Sequence, residues 1–156
     1  MANQNNNNAA PVTDINWSLQ AVKDMTFAGA TTNDPGDADG TGNPATLFTV
    51  TGPVLIEVAG YGVTDLTGAS ATVEVGVSGN TGGILPTTTA TAIDAGDIWH
   101  DNSPDANFEA ASVMAQRILN DTDIIQTVAT ANVTAGAIRY VAYWYPLSPD
   151  SNVVAA

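Results

Sequence analysis

A chain of 156 residues is long enough for one domain with its own core, and no shift in composition divides it. Sixteen acidic residues against three basic ones (Lys23, Arg117 and Arg139) give a formal net charge of -13, which leaves almost nothing to neutralise phosphates and excludes nucleic acid and anionic membranes as partners. Cysteine is absent, which removes disulfides, thiolate metal sites and a cysteine nucleophile.

Residues 1–13 are polar, rich in asparagine and without periodicity, a composition that cannot bury enough surface to fold alone. They are expected to form an extended arm, with neither the basic nor the apolar region of an export signal, followed by one β domain over residues 14–156. No apolar run approaches the roughly 20 residues of a membrane span, so the expectation is a soluble chain. Residues 16–27 alternate roughly, with Trp17, Leu19, Ala21, Met25 and Phe27 as inward candidates, and predict a strand. Residues 31–44 are a long loop of turn formers. Two strands follow, over 46–51 and 54–61, broken at Gly52 and Pro53 because proline lacks the ladder donor. In the second, Val54, Ile56 and Val58 oppose Leu55, Glu57, Ala59 and Tyr61.

The stretch 72–77 alternates cleanly, with Val73, Val75 and Val77 inward, and the turn at 78–82 makes 72–89 a hairpin. A short strand falls within 94–101, and 113–119 fits either a strand or a short helix. Residues 124–130, a turn at 131–136 and residues 137–145 are expected to form a final hairpin. Eight to ten short strands separated by Gly, Pro and Asn/Asp turns predict an all-β chain, an antiparallel β-sandwich and a jelly roll in particular.

The last of these strands is apolar or aromatic on both sides. Ile138, Tyr140, Ala142 and Trp144 share one face, and Arg139, Val141, Tyr143 and Tyr145 share the other. A small β domain hides one face of an antiparallel sheet, so the second face needs another sheet or another subunit. The sequence leaves open which face does which. Arg117 and Arg139 both fall in apolar strands, where each is expected to meet a carboxylate across an interface or to lay its stem along a sheet edge. The expected subunit interface is therefore Arg117, Arg139, Val141, Tyr143 and Tyr145.

Chemistry has little to build on. The acid-rich run 34–40 invites a calcium reading, but alignment on Gly40 puts Pro35 where the first acid of an EF-hand loop belongs and Thr46 where the closing Glu belongs. A solvated acidic loop is the plainer expectation. Asp94, Asp97 and Asp101 surround His100, the only histidine, yet strand alternation places Asp97 and Asp101 with Trp99 and turns His100 to the other side, so no metal is expected. The chain has no Gly-x-Ser-x-Gly elbow, phosphate loop or His-Glu-x-x-His, and neither a catalytic residue nor a cofactor is expected. Tyr140, Tyr143, Trp144 and Tyr145 offer a sugar platform, but their alternation within one strand fits core or interface packing better.

Three stretches, 47–56, 92–101 and 136–147, resemble in order and spacing small structural proteins of tailed bacteriophages. The resemblance covers residues 47–154. It implies a trimeric β-sandwich or jelly-roll subunit assembled in the host cytoplasm and carried on the outer surface of the phage head, a capsid decoration or cement protein. Its implied partners are the other two copies, the major capsid protein and neighbouring decoration trimers. On this reading Asn3, Gln4, Asn5, Asn6, Asn7, Asn8, Pro11 and Val12 lie along capsid protein and pair with its backbone, and three arms on one trimer multiply weak contacts. The alternative is a head or tail fibre module that binds a host-surface glycan.

Overall fold

The computed structural model describes residues 19–29, 33–106 and 116–156. Within them the chain is all-β. The strands are β1 (Leu19–Phe27), β2 (Ala45–Thr51), β3 (Pro53–Thr67), β4 (Thr72–Val77), β5 (Asn80–Thr89), β6 (Ile98–Trp99), β7 (Arg117–Asn120), β8 (Ile124–Ala129), β9 (Ala135–Pro146) and β10 (Asn152–Ala155). Asn3 to Val12, Trp17 and residues 113–115 of the ambiguous stretch 113–119 lie outside the described residues, and residues 117–119 of that stretch belong to β7.

Two antiparallel sheets form a sandwich. The first orders β1-β9-β3, with β6 and β7 sharing the far edge of β3; the second orders β10-β2-β8-β4-β5. The ladders are nested, since β4 pairs β5, β3 pairs β6 and β7, β2 pairs β8, and β1 pairs β9. The chain is thus one long ribbon closed at the turn between β4 and β5, folded over so that successive pairs fall in alternate sheets.

That path corrects the expected final hairpin. β8 lies between β2 and β4, β9 lies between β1 and β3, and the connection between them crosses from one layer to the other. Beyond a bond from Ala131 N–H to the Ala129 carbonyl, its contacts reach other segments: Val133 N–H donates to the Gly36 carbonyl and Thr134 N–H to the Thr67 carbonyl, while Asn132 Oδ1 accepts from Ala38 N–H. Val133 is fully buried beneath these contacts. A short connection was therefore compatible with two topologies, and an apolar anchor selected the crossing.

β3 runs six residues past its expected end at Tyr61. Gly62 allows this, because a Cβ there would sit 2.1 Å from the Asp94 carbonyl oxygen. Gly62 N–H donates to the Asp97 carbonyl at 2.9 Å and Gly96 N–H returns a bond to Gly62 at 2.8 Å, so residues 94–97 clamp the strand as it bends. Register shifts follow between Gly62 and Thr64 and again before Thr67.

The space between the sheets is filled by the apolar stripes of both. Val54, Ile56 and Val58 of β3 and Ile138, Tyr140, Ala142 and Trp144 of β9 meet Phe48, Val50, Val73, Val75, Ile124 and Val128 of the second sheet. Val73 and Val75 are buried as expected, while Val77 is half-buried near the turn. A polar bridge crosses this core. Tyr140 Oη donates to Gln126 Oε1 at 2.7 Å, joining β9 to β8, and both residues are fully buried. The Tyr140 ring also lies against Trp99, with centroids 6.3 Å apart and a tilt of 58°. Burial pushes the Tyr140 phenol well above its ordinary pKa.

Candidate functional site

The buried side of β9 is the one carrying Trp144, so Arg139, Val141, Tyr143 and Tyr145 point away from the core. Directly opposed residues in an antiparallel ladder share a face, and the registers of β1 and β3 against β9 therefore lay out this outer surface row by row. Tyr61, Arg139 and Asp24 make one row, then Ala59, Val141 and Val22, then Glu57, Tyr143 and Gln20, and finally Leu55 beside Tyr145. β7 adds Ile118 opposite Leu55, and β6 adds Ile98 opposite Tyr61.

This face is not dressed for water. Val22, Tyr61, Tyr145 and Ile118 are 44 %, 46 %, 42 % and 70 % exposed, and they lie on one sheet rather than scattered over the molecule. The outer face of the second sheet is of the ordinary kind: Thr49, Thr51, Thr72, Thr87, Thr89 and Glu74 cover it, interrupted by Ile125 and Val154. Glu74 accepts there from the Thr87 hydroxyl. Both sheets are built from the same strand physics, and among the described residues the first presents the more aromatic and aliphatic outer surface.

Arg139 finds a carboxylate within its own chain. Its guanidinium donates Nε–H to Asp24 Oδ1 at 2.7 Å and Nη2–H to Oδ2 at 3.0 Å, a two-pronged pair between adjacent strands. These bonds hold the Asp24 carboxyl below its usual range and raise Arg139. Arg117 departs from the other expected interface residues. Although it opposes Ile56 in register, its Nε–H donates to the Gly83 carbonyl at 2.8 Å, which ties β7 of the first sheet to β5 of the second. Arg117 is a strut between layers.

The acidic run also has a structural occupation. Asp34 is buried, against the solvated loop expected from its charge, because Oδ2 accepts from Ala28 and Gly29 N–H at 2.7 and 2.9 Å and Oδ1 accepts from Gly36 N–H at 2.8 Å. The second acidic cluster behaves similarly. Asp97 Oδ2 accepts from Asp94 N–H at 2.9 Å, and Asp101 Oδ1 accepts from Ser103 N–H at 2.7 Å. His100 is buried next to the buried Trp99, since β6 ends at Trp99 and its alternation ends there too. Among the described residues no group of three or more His, Cys, Asp or Glu side chains is arranged to hold a metal ion.

Sequence alternation put Tyr61, Leu55, Glu57 and Ala59 on one face of β3 and Val141, Tyr143 and Tyr145 on one face of β9, but it missed Val22 and Ile118. Both stand in alternating strands, so the signal was present. What was missing was the pairing of strands far apart in sequence. Among the described residues no helix is long and apolar enough to cross a membrane. No protein-family model, curated protein or solved structure matches the chain.

Proposed function

We propose that this chain is a virion structural subunit, a capsid decoration or cement protein that sits as a trimer on the outer surface of a tailed-phage head and is held there by its N-terminal arm. The observation that carries this reading is the nested ribbon. Pairs 4·5, 3·6/7, 2·8 and 1·9 falling in alternate sheets support a jelly roll, an architecture that serves capsid and lectin domains. Architecture alone does not specify activity, and the virion location rests on the resemblance of three stretches. Those stretches form one neighbourhood around β3: residues 47–56 turn β2 into β3, residues 92–101 include β6, which pairs β3 at Gly60 and Tyr61, and residues 136–147 include most of β9, which pairs β3 along its length.

The charge of -13 fits a densely displayed protein that stays soluble and does not adhere to nucleic acid. The arm supplies amide donors and acceptors at every step from Asn3 to Asn8, suited to lying along a partner's backbone. A fibre module that binds a glycan is the second reading, favoured by the exposed rings of Tyr61 and Tyr145 on one face. Deletion of residues 1–12 tests the first. Loss of particle binding by an otherwise intact oligomer is the expected result, and unchanged occupancy of the head by the truncated chain would refute anchoring by the arm.

A further inference from the structure

We infer that Lys23 and Arg117 guard the edges of the sandwich: each sits on the inward side of an edge strand, ties it to the edge of the facing sheet, and bars another polypeptide from adding a strand there. This stands on the edges of the two sheets and does not use the virion assignment.

The edges differ in how far they invite pairing. Among the described residues, β1 and β10 bound the two sheets on one side, and β6 and β7 of the first sheet and β5 of the second bound them on the other. An edge strand presents unpaired N–H and C=O groups, which template the addition of any extended chain. Most of these strands are poor templates. β10 and β7 have four residues each and β6 has two, while β5 carries Pro86 and two register shifts against β4. β1 is different, since it has nine residues and pairs β9 without a register shift.

Lys23 stands at the middle of that long edge. It opposes the fully buried Tyr140 and alternates with the buried Ala21, Met25 and Phe27, so it belongs to the inward stripe of β1. Its Nζ reaches across the seam and donates to the Ala156 carbonyl, while Ala156 N–H donates to the Leu47 carbonyl at 3.0 Å and prolongs the pairing of β10 with β2. Arg117 repeats the arrangement on the far side. It opposes the buried Ile56, and its Nε–H donates to the carbonyl of Gly83, which lies in β5 between the paired residues Asn80 and Leu85.

The acceptors explain why these cations guard. Arg139 spends its charge on Asp24, whereas Lys23 and Arg117 donate to backbone carbonyls of the facing sheet. At a finished edge this is tolerable, because the half-buried Lys23 keeps its head near water. A strand added outside β1 would extend the sheet over Lys23 and strip that water from an ammonium whose partner is a neutral carbonyl. A buried charge without a counter-charge is strongly unfavourable, so strand addition is opposed where the backbone alone would favour it.

Lys23→Met in the full chain is the test, beside Lys23→Arg, which keeps the charge and the donor, and Asp34→Ala, which weakens a loop away from both edges. Sedimentation velocity and infrared spectroscopy read association and intermolecular strand pairing. Lys23→Met should assemble beyond the wild-type species at a concentration about tenfold lower than the wild type does, with an added band from intermolecular strands, while Lys23→Arg and Asp34→Ala should not. Amide exchange should quicken about tenfold at Asn152–Ala155 in Lys23→Met and at Asn80–Thr89 in Arg117→Met, each leaving the other edge as it was. Should Lys23→Met fail to fold, Lys23→Gln takes its place with the same association expected. A folded Lys23→Met that associates no more than the wild type overturns the inference. So does Lys23→Arg associating as Lys23→Met does, because the charge would then guard nothing, and so does equal association by Asp34→Ala, because lost stability would then be the cause.

Discussion

Tyr140→Phe isolates the polar bridge from β9 to β8 through the core. The ring is retained, so no cavity opens and its contact with Trp99 persists; only the hydroxyl is lost. Gln126 Oε1 is then left without its donor in a fully buried position, and the other end of that amide reaches only the Pro35 carbonyl at 3.5 Å. A net hydrogen bond contributes about 1 kcal/mol and a stranded buried acceptor adds a desolvation cost, so the loss should be about 2 kcal/mol. For a chain of 156 residues that corresponds to a fall in Tm of roughly 4–8 °C. Thermal and urea unfolding of both single variants and the double variant Tyr140→Phe with Gln126→Leu measure it, because removing both partners should cost less than the sum of the single losses. A loss under about 0.5 kcal/mol for Tyr140→Phe, or a double variant as unstable as the sum of its parts, would refute the bridge.

The same phenol gives a pH dependence. Its folded pKa is raised above the ordinary 10.0 by burial, so the stability it contributes is fully present below pH 10 and declines as pH rises above it. Alkaline titration followed by phenolate absorbance should show one of the four tyrosines resisting ionisation until the chain unfolds. Asp34→Ala should cost about 2–3 kcal/mol in urea unfolding, since Ala28, Gly29 and Gly36 lose a shared charged acceptor; Asp34→Asn should recover part of it, and an equal loss in both would point to the charge instead of the geometry.

Alternation made most strands legible, and residue chemistry explains the exceptions. The stripe of Val73 and Val75 stood out because every second side chain of Thr72–Val77 is branched and apolar. The end of β3 did not, because Gly60 and Gly62 occupy inward positions and a glycine has no side chain to mark a face. The final crossing looked like a hairpin because sequence shows the length of a connection and not what its middle residue is buried against. The outer face was half visible. Each strand displayed its own stripe, but the salt bridge between Asp24 and Arg139 joins residues 115 apart, and no local pattern carries that distance. Asp34 was misread for the opposite reason: a carboxylate in a turn-rich run looks solvated until three backbone donors converge on it.

The nested ribbon has a kinetic consequence. Closing the turn between β4 and β5 spans a few residues, whereas joining β1 to β9 closes more than a hundred, and the entropy of closure falls hardest on the pair with least local help unless inner rungs form first. The chain is expected to zip from the tip outward, with β1 and β9 last. Val22, Val141 and Tyr143 meet on one surface only when that final rung is in place. A half-folded chain has no such face to offer, so any contact made through this sheet is open only to a chain that has finished folding.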